Sequence, residues 1–173
     1  MKKLKSVVAL VLVGASMMSL AGCAKKIEPL KKKDFKDALE NALDIDDDDY
    51  SDYDGSDYDN VWYYEDKYFI DYYQYDDEDD AADWFEDVYD DYEDMIDDKD
   101  FSGRHRAVYN ENAGYGYILL NGESEDDDFF EGDIYGGIYW AGDTIIIALC
   151  RSDKDKYIDG INALLKELGY PKP

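Results

Sequence analysis

The chain has 173 residues, of which 44 are acidic and 18 are lysine or arginine, giving a formal charge of −26. This charge excludes nucleic acids as partners, because their phosphates carry charge of the same sign. It favours solubility and the attraction of cations or basic proteins.

Residues 1–22 have the composition of a cleavable signal peptide. Three lysines stand at the start, and an apolar run follows from Val7 to Leu20, interrupted only by glycine and small hydroxyl residues. The run is shorter than the roughly 20 apolar residues that a membrane-spanning helix needs. We therefore expect these residues to be removed from the mature chain.

The apolar run ends in Leu20-Ala21-Gly22-Cys23, which resembles the lipobox of bacterial lipoproteins. The resemblance implies that the Cys23 thiol receives a diacylglyceryl group, and that a dedicated peptidase then cuts before this residue. It also implies that the protein is held by its lipid on the extracytoplasmic face of the cell membrane. A cleavable signal peptide with a chance cysteine is the alternative. Because cleavage would remove three lysines and no acid, the mature chain would be three units more negative than −26.

Residues 23–33 form a basic segment with five lysines, which we interpret as a linker between the lipid and the folded part. Ten fully extended residues reach about 33 Å. We expect the lysines to lie against anionic lipid headgroups, while the acidic domain, residues 34–173, is held away from the same surface.

Apolar residues at helical spacing predict a first helix from Asp34 to about Leu43. In the following segment, 44–59, nine residues are aspartate, and we predict a solvated loop. Compared with an EF-hand loop anchored on Gly55, aspartates occupy the third and fifth positions, but Tyr50 and Val61 occupy the first and twelfth. We therefore predict no specific metal site. Divalent-cation binding by this segment and by the acidic run 123–128 is the alternative function.

Aromatic and β-branched residues predict strands at 61–64 and 68–75, and two short strands near 105–110 and 115–121. A hairpin with a tight turn at residues 141–143 follows. Its second strand, 144–150, has no polar break until its end, so we expect it to be central with both faces covered. In the first strand, Gly136 and Gly137 indicate a bulge or a close approach of backbones.

Two longer helices complete the pattern. The first is predicted over 77–98, where an aromatic and apolar stripe recurs every three or four residues between acids, as expected for packing against a sheet. The second is expected to begin in a capping box of Ser152 and Asp155 and to end at Gly169 in a Schellman motif.

Together these elements predict an α+β domain, with an antiparallel sheet of about five strands and helices packed on one face. The stretches DEDDAADWF and GDTIIIALCRSDKDKYIDGINALLKELGY resemble those of small uncharacterised lipoproteins of Gram-positive bacteria. This resemblance implies a surface-tethered domain with no assigned chemistry.

Signatures of catalysis are missing from the sequence: it has no phosphate-binding glycine loop, no nucleophile elbow, and too few histidines and cysteines for a zinc site. We predict that Cys150 is a small buried residue of a strand. Arg104, His105 and Arg106 are interpreted either as salt-bridge partners or as a small anion-binding spot. The many tyrosines favour a recognition surface, because tyrosine combines rigid area with a polar tip.

The predicted function is therefore a non-catalytic binding or envelope-associated module without metal or cofactor. Its membrane attachment is the lipid on Cys23, which is the one site residue assigned. Basic proteins or cations are the partners that the charge favours.

Overall fold

The computed structural model describes residues 25–126 and 129–173. Within these residues no helix is long and apolar enough to cross a membrane. The elements of the described residues follow in the order α1 (Lys32–Leu43), β1 (Ser51–Asp54), β2 (Tyr58–Tyr63), β3 (Tyr68–Tyr75), α2 (Glu78–Asp98), β4 (Phe101–Asn110), a 3-10 turn (Glu111–Ala113), β5 (Tyr115–Ser124), β6 (Gly132–Ala141), β7 (Thr144–Cys150) and α3 (Asp155–Glu167).

All seven of these strands belong to one antiparallel sheet, in the order β1-β2-β3-β7-β6-β5-β4. The predicted α+β class is confirmed, but the sheet has seven strands rather than about five. The central position predicted for residues 144–150 is also confirmed: β7 is the fourth strand, and every one of its residues is buried.

Strand β1 is the one for which the sequence predicts a solvated loop. Aspartate is a poor strand former, yet Asp52 and Asp54 lie in β1 and are paired with lysines of α1. Lys32 contacts both carboxylates, and Lys36 contacts Asp52. The two lysines come from a different element, so this partial neutralisation of β1 could not be recognised within the acidic segment.

The helices lie on both faces of the sheet, which corrects the prediction that they share one face. Helices α1 and α3 enclose a core with Val61, Tyr72 and Ile146, whereas α2 encloses a second core with Ile145 and Ile147 on the opposite face. The physical reason is the apolar character of β7. Because neighbouring residues of a strand point to opposite faces, an unbroken apolar strand requires cover on both sides.

Some of the helix ends predicted from the sequence are confirmed by the structure, and one is not. Helix α2 begins after Asp77, whose side chain accepts a hydrogen bond from the Asp79 amide, close to the predicted start. The predicted Schellman motif at Gly169 is confirmed, since the Tyr170 amide donates to the Leu165 carbonyl at 2.9 Å. The predicted capping box is wrong: the Ser152 hydroxyl accepts from the Lys154 amide, and α3 begins without a side-chain cap.

Residues 25–31, interpreted from the sequence as part of a linker, lie along the face that carries α1 and α3. Ile27 is 3% exposed and belongs to the core between these helices and the sheet. The carbonyl oxygens of Glu28 and Leu30 accept hydrogen bonds of 2.8 Å from the hydroxyl groups of Tyr170 and Tyr72. This segment is therefore not available as an extended spacer, and α1 begins at Lys32, within the predicted linker.

We expect added salt to stabilise the protein, because a formal charge of −26 makes the folded state repel itself. Raising NaCl from about 20 mM to about 200 mM shortens the Debye length from roughly 20 Å to roughly 7 Å. The melting temperature, followed by circular dichroism, should rise by several degrees. An unchanged or lower melting temperature would show that attractive pairs such as Lys32–Asp52 outweigh the repulsion.

Candidate binding surface

The residues singled out in the sequence do not converge on one site. Cys23 lies outside the described residues. Cys150 is a free, fully buried thiol at the end of β7, as predicted, and burial raises its pKa to about 11. A thiol that stays protonated and buried is a poor nucleophile, which agrees with a packing role.

Within the part of the chain that the structure describes, the acidic segments show no arrangement suited to a metal ion. No cluster of three or more histidine, cysteine, aspartate or glutamate side chains in the described residues is placed to hold one. In segment 44–59, Asp52 and Asp54 are already paired with lysines. In the run 123–128, residues 127 and 128 lie outside the described part of the chain. Divalent-cation binding stays a prediction, which calorimetry with calcium would check.

The basic cluster of β4 is divided between the two faces of the sheet. His105 lies on the face of α2, where its Nδ1 atom is 2.7 Å from the Tyr92 hydroxyl. Arg106 lies on the other face, with its guanidinium 5.7 Å from the centre of the Tyr117 ring. Arg104 shares the face of Arg106, since alternate residues of a strand do so. The sequence neighbours therefore do not form a single three-residue site.

A surface rich in tyrosine forms where α2 leaves the sheet uncovered. Helix α2 packs on β3 to β7, whereas β1 and β2 extend beyond it. On the α2 side of β1, β2 and β3 lies a group of aromatic residues that we call the tyrosine face: Tyr53, Tyr58, Trp62, Tyr64, Tyr73 and Tyr75. Tyr53, Tyr58 and Tyr64 are the most exposed large apolar side chains of the described residues, at 49%, 39% and 48%.

The rings of the tyrosine face contact one another across strands. The Tyr58 ring is 5.7 Å from that of Tyr53, 5.8 Å from that of Tyr73 and 5.9 Å from that of Tyr75. Tyr73 in turn contacts Trp84 of α2 at 6.5 Å. Such cross-strand aromatic pairs stabilise a sheet and hold the rings in place. The face is thus a preorganised aromatic platform at one edge of the sheet.

A buried carboxylate lies among the side chains of the tyrosine face. Asp71 of β3 is 1% exposed, and its Oδ1 atom accepts a 2.8 Å hydrogen bond from the side-chain amide of Asn60. Its Oδ2 atom accepts a hydrogen bond from the Tyr64 hydroxyl. Burial raises the pKa of Asp71, an effect that outweighs the opposing hydrogen bonds from Tyr64 and Asn60. Because both carboxylate oxygens accept hydrogen bonds from neighbouring side chains, Asp71 fixes the positions of Asn60 and Tyr64.

We expect Asp71→Asn to change the pH dependence of stability. Because burial raises the pKa of Asp71 in the folded state, that state holds the proton more firmly than the unfolded chain. The contribution of Asp71 to stability should therefore grow as the pH falls through its folded pKa. The unfolding free energy of wild type minus that of Asp71→Asn, from urea titrations, should be larger at about pH 4 than at about pH 7.

The exposed Asp159→Asn variant removes the same charge from α3 and controls for the general repulsion among acids. A difference that instead grows as the pH rises would contradict the raised pKa of Asp71.

Sequence reasoning missed the tyrosine face as a site, although it noted the density of tyrosine. The available signal was the alternation along β3, which places Phe69, Asp71 and Tyr73 on one face. The sequence did not indicate that α2 packs on this side of the sheet, or that it leaves β1 and β2 uncovered.

Protein-family models, curated proteins and solved structures were compared with the chain, and none of them matches it.

Proposed function

We propose that this protein is a lipid-anchored, extracytoplasmic, non-catalytic module that binds a basic polypeptide through its tyrosine face. The exposure of Tyr53, Tyr58 and Tyr64 at one edge of the sheet is the observation that carries the proposal. The lipobox ending at Cys23 supports the attachment and the location.

Aromatic rings and negative charge together favour lysine and arginine side chains. A cation over the face of a tyrosine ring is attracted by about 0.5–1 kcal/mol at exposed sites, and by about 2 kcal/mol where water is removed. The rings are already held by their neighbours, so little side-chain freedom is lost on binding. The charge of −26 would raise the rate of encounter with a basic partner.

The border of the tyrosine face carries acids as well as rings. Trp84 of α2 contacts Tyr73, and Asp80 and Asp87, which are exposed, lie one helical turn before and after it. Asp80 also raises the pKa of Tyr75, though burial is the main cause. A polypeptide lying on the rings would thus meet carboxylates at the rim, the usual place for charges that guide association.

Binding of a synthetic lysine- and arginine-rich peptide to the full mature protein tests this proposal. We expect the double variant Tyr53→Ala, Tyr58→Ala to bind the peptide about tenfold more weakly than wild type, from about 0.7 kcal/mol lost per ring contact. The matched control is Tyr53→Phe, Tyr58→Phe, which keeps both rings and should bind nearly as well as wild type.

Neither double variant alters the net charge, so general attraction to an acidic protein stays the same in all three. Equal affinities for wild type and the alanine variant at about 150 mM salt would overturn the proposed surface. In that case the peptide would bind only through the overall field of the protein.

A further inference from the structure

The N-terminal end of the described chain lies beside the C-terminal tail. The Lys25 ammonium group donates a hydrogen bond to the Gly169 carbonyl, just after α3. Three residues later, the Glu28 carbonyl accepts from the Tyr170 hydroxyl at 2.8 Å. Lys25, the first described residue, therefore lies next to residues 169–170.

Several basic side chains lie near the end of this C-terminal segment. Lys172 and Pro173 of the tail line a shallow cavity of about 200 Å³ together with Arg104 and Arg106 of β4. The tail is held there because the Tyr139 hydroxyl donates to the Pro171 carbonyl at 2.8 Å. We call the five basic residues of this region the anchor patch: Lys25, Lys26, Arg104, Arg106 and Lys172.

Acids lie close to the anchor patch but do not outnumber its cations. Glu28 forms an ion pair of 2.9 Å with Lys26. Glu123 pairs with Ser102 across β4 and β5, and Asp133 pairs with Glu123 across β5 and β6, so both acids share the face of Arg104. Five cations against these three acids leave an excess of two positive charges on a protein whose overall charge is −26. A local excess of positive charge is unexpected in a chain with 44 acidic and 18 basic residues, and it indicates a negatively charged partner at this place.

We propose that the anchor patch rests on the anionic lipid headgroups of the membrane that holds the acylated Cys23, and so sets the orientation of the domain. This inference rests on the lipid attachment in the proposed function. Cys23 precedes Lys25 by two residues, so at most about 7 Å of extended chain separates them. An acyl group inserted in the bilayer would therefore keep Lys25, the first residue of the patch, within about a Debye length of the headgroups.

The geometry of the sheet determines which surface of the domain would face away from the membrane. Arg104 and Arg106 lie on β4, and the tyrosine face lies mainly on β1 and β2 at the opposite edge of the sheet and on its other face. Six strand spacings separate β4 from β1, or about 29 Å. With the patch on the membrane, the tyrosine face and the acids of α2 point away from the lipid, where repulsion from it is weak.

The experiment measures energy transfer from a single dye on the full lipidated protein to acceptor-labelled lipid headgroups. The dye is placed at Ser102→Cys, which is exposed on β4 beside Arg104, or at Ser56→Cys, which is exposed in the turn between β1 and β2. Cys150 is buried with a raised pKa and should stay unlabelled. We expect transfer from position 102 to exceed that from position 56 at least threefold on vesicles with about 30% anionic lipid, and to differ less on neutral vesicles.

The variant Arg104→Glu, Arg106→Glu should reduce transfer from position 102 on anionic vesicles to its level on neutral ones. The matched control, Lys154→Glu, Lys156→Glu at the start of α3, makes the same change in charge and should leave the transfer unchanged. Equal transfer from positions 102 and 56, or no effect of the arginine variant, would overturn the anchor patch. A protein that associates with neither kind of vesicle would instead overturn the lipid attachment itself.

Discussion

Native wild-type protein is expected to begin at Cys23 and to carry the added mass of a diacylglyceryl group, whereas Cys23→Ser should show neither feature. The thiol forms the thioether that bears the lipid, and a hydroxyl does not replace it in the family that the lipobox resembles. Each buried methylene contributes roughly 0.8 kcal/mol, so two acyl chains suffice for stable anchoring. Intact-mass spectrometry of protein purified from its own host would measure both features at once.

The matched control for this experiment is Cys150→Ala, which removes the other cysteine and should leave the acylated mass difference unchanged. Limited trypsin gives a second measurement, because cleavage after the exposed Lys25 or Lys26 should release the domain from membranes. A wild-type species that still starts at Met1, or that lacks the acyl mass, would contradict the lipid attachment. The proposals on location and on the anchor patch would then fail together.

The second large effect is expected from Gly136→Ala on β6. A Cβ atom at this position would come within 2.0 Å of the Ala148 carbonyl oxygen on β7, and the φ angle of 138° is unfavourable for residues with a side chain. The obstacle is backbone of the central strand, which cannot rotate away as a side chain can. We expect a loss of at least about 3 kcal/mol, out of a total stability of about 5–15 kcal/mol.

Urea unfolding followed by circular dichroism would measure this loss, with Gly132→Ala as the control. Gly132 lies on the same strand and also has a positive φ angle, 96°, but no atom lies within 4 Å of the position that its Cβ would take. The control should therefore lose only the backbone strain, about 1 kcal/mol. Equal urea midpoints for the two variants would show that the β6–β7 contact adapts to a side chain.

The sequence prediction at Gly136 and Gly137 is confirmed in one of its two forms. It left open a bulge or a close approach of backbones. The register between β6 and β7 runs without interruption from Tyr135 to Ala141, so there is no bulge at the two glycines. The short distance from Gly136 to Ala148 shows the close approach.

The local elements of this protein could be predicted from the sequence because their signals are local. The apolar stripe of α2, the Schellman end of α3 and the unbroken apolar strand β7 each depend on residues within one or two turns or one strand. Each was found close to its predicted place. The predicted lipid attachment at Cys23 also depends on a short motif, and it stays a prediction.

The tertiary structure alone decided which elements meet. Strand β1 pairs in the sheet while its aspartates meet lysines of α1, at a distance in sequence that no periodicity reports. The side on which α2 packs decides that Tyr53, Tyr58 and Tyr64 are exposed and that Asp71 is buried. The docking of Ile27 and Tyr170 brings the first and last described segments together, and the second of these lies beside Arg104 and Arg106. Spacing along a chain determines which residues share a face, but only the packing of distant elements determines what covers that face and which charges it brings together.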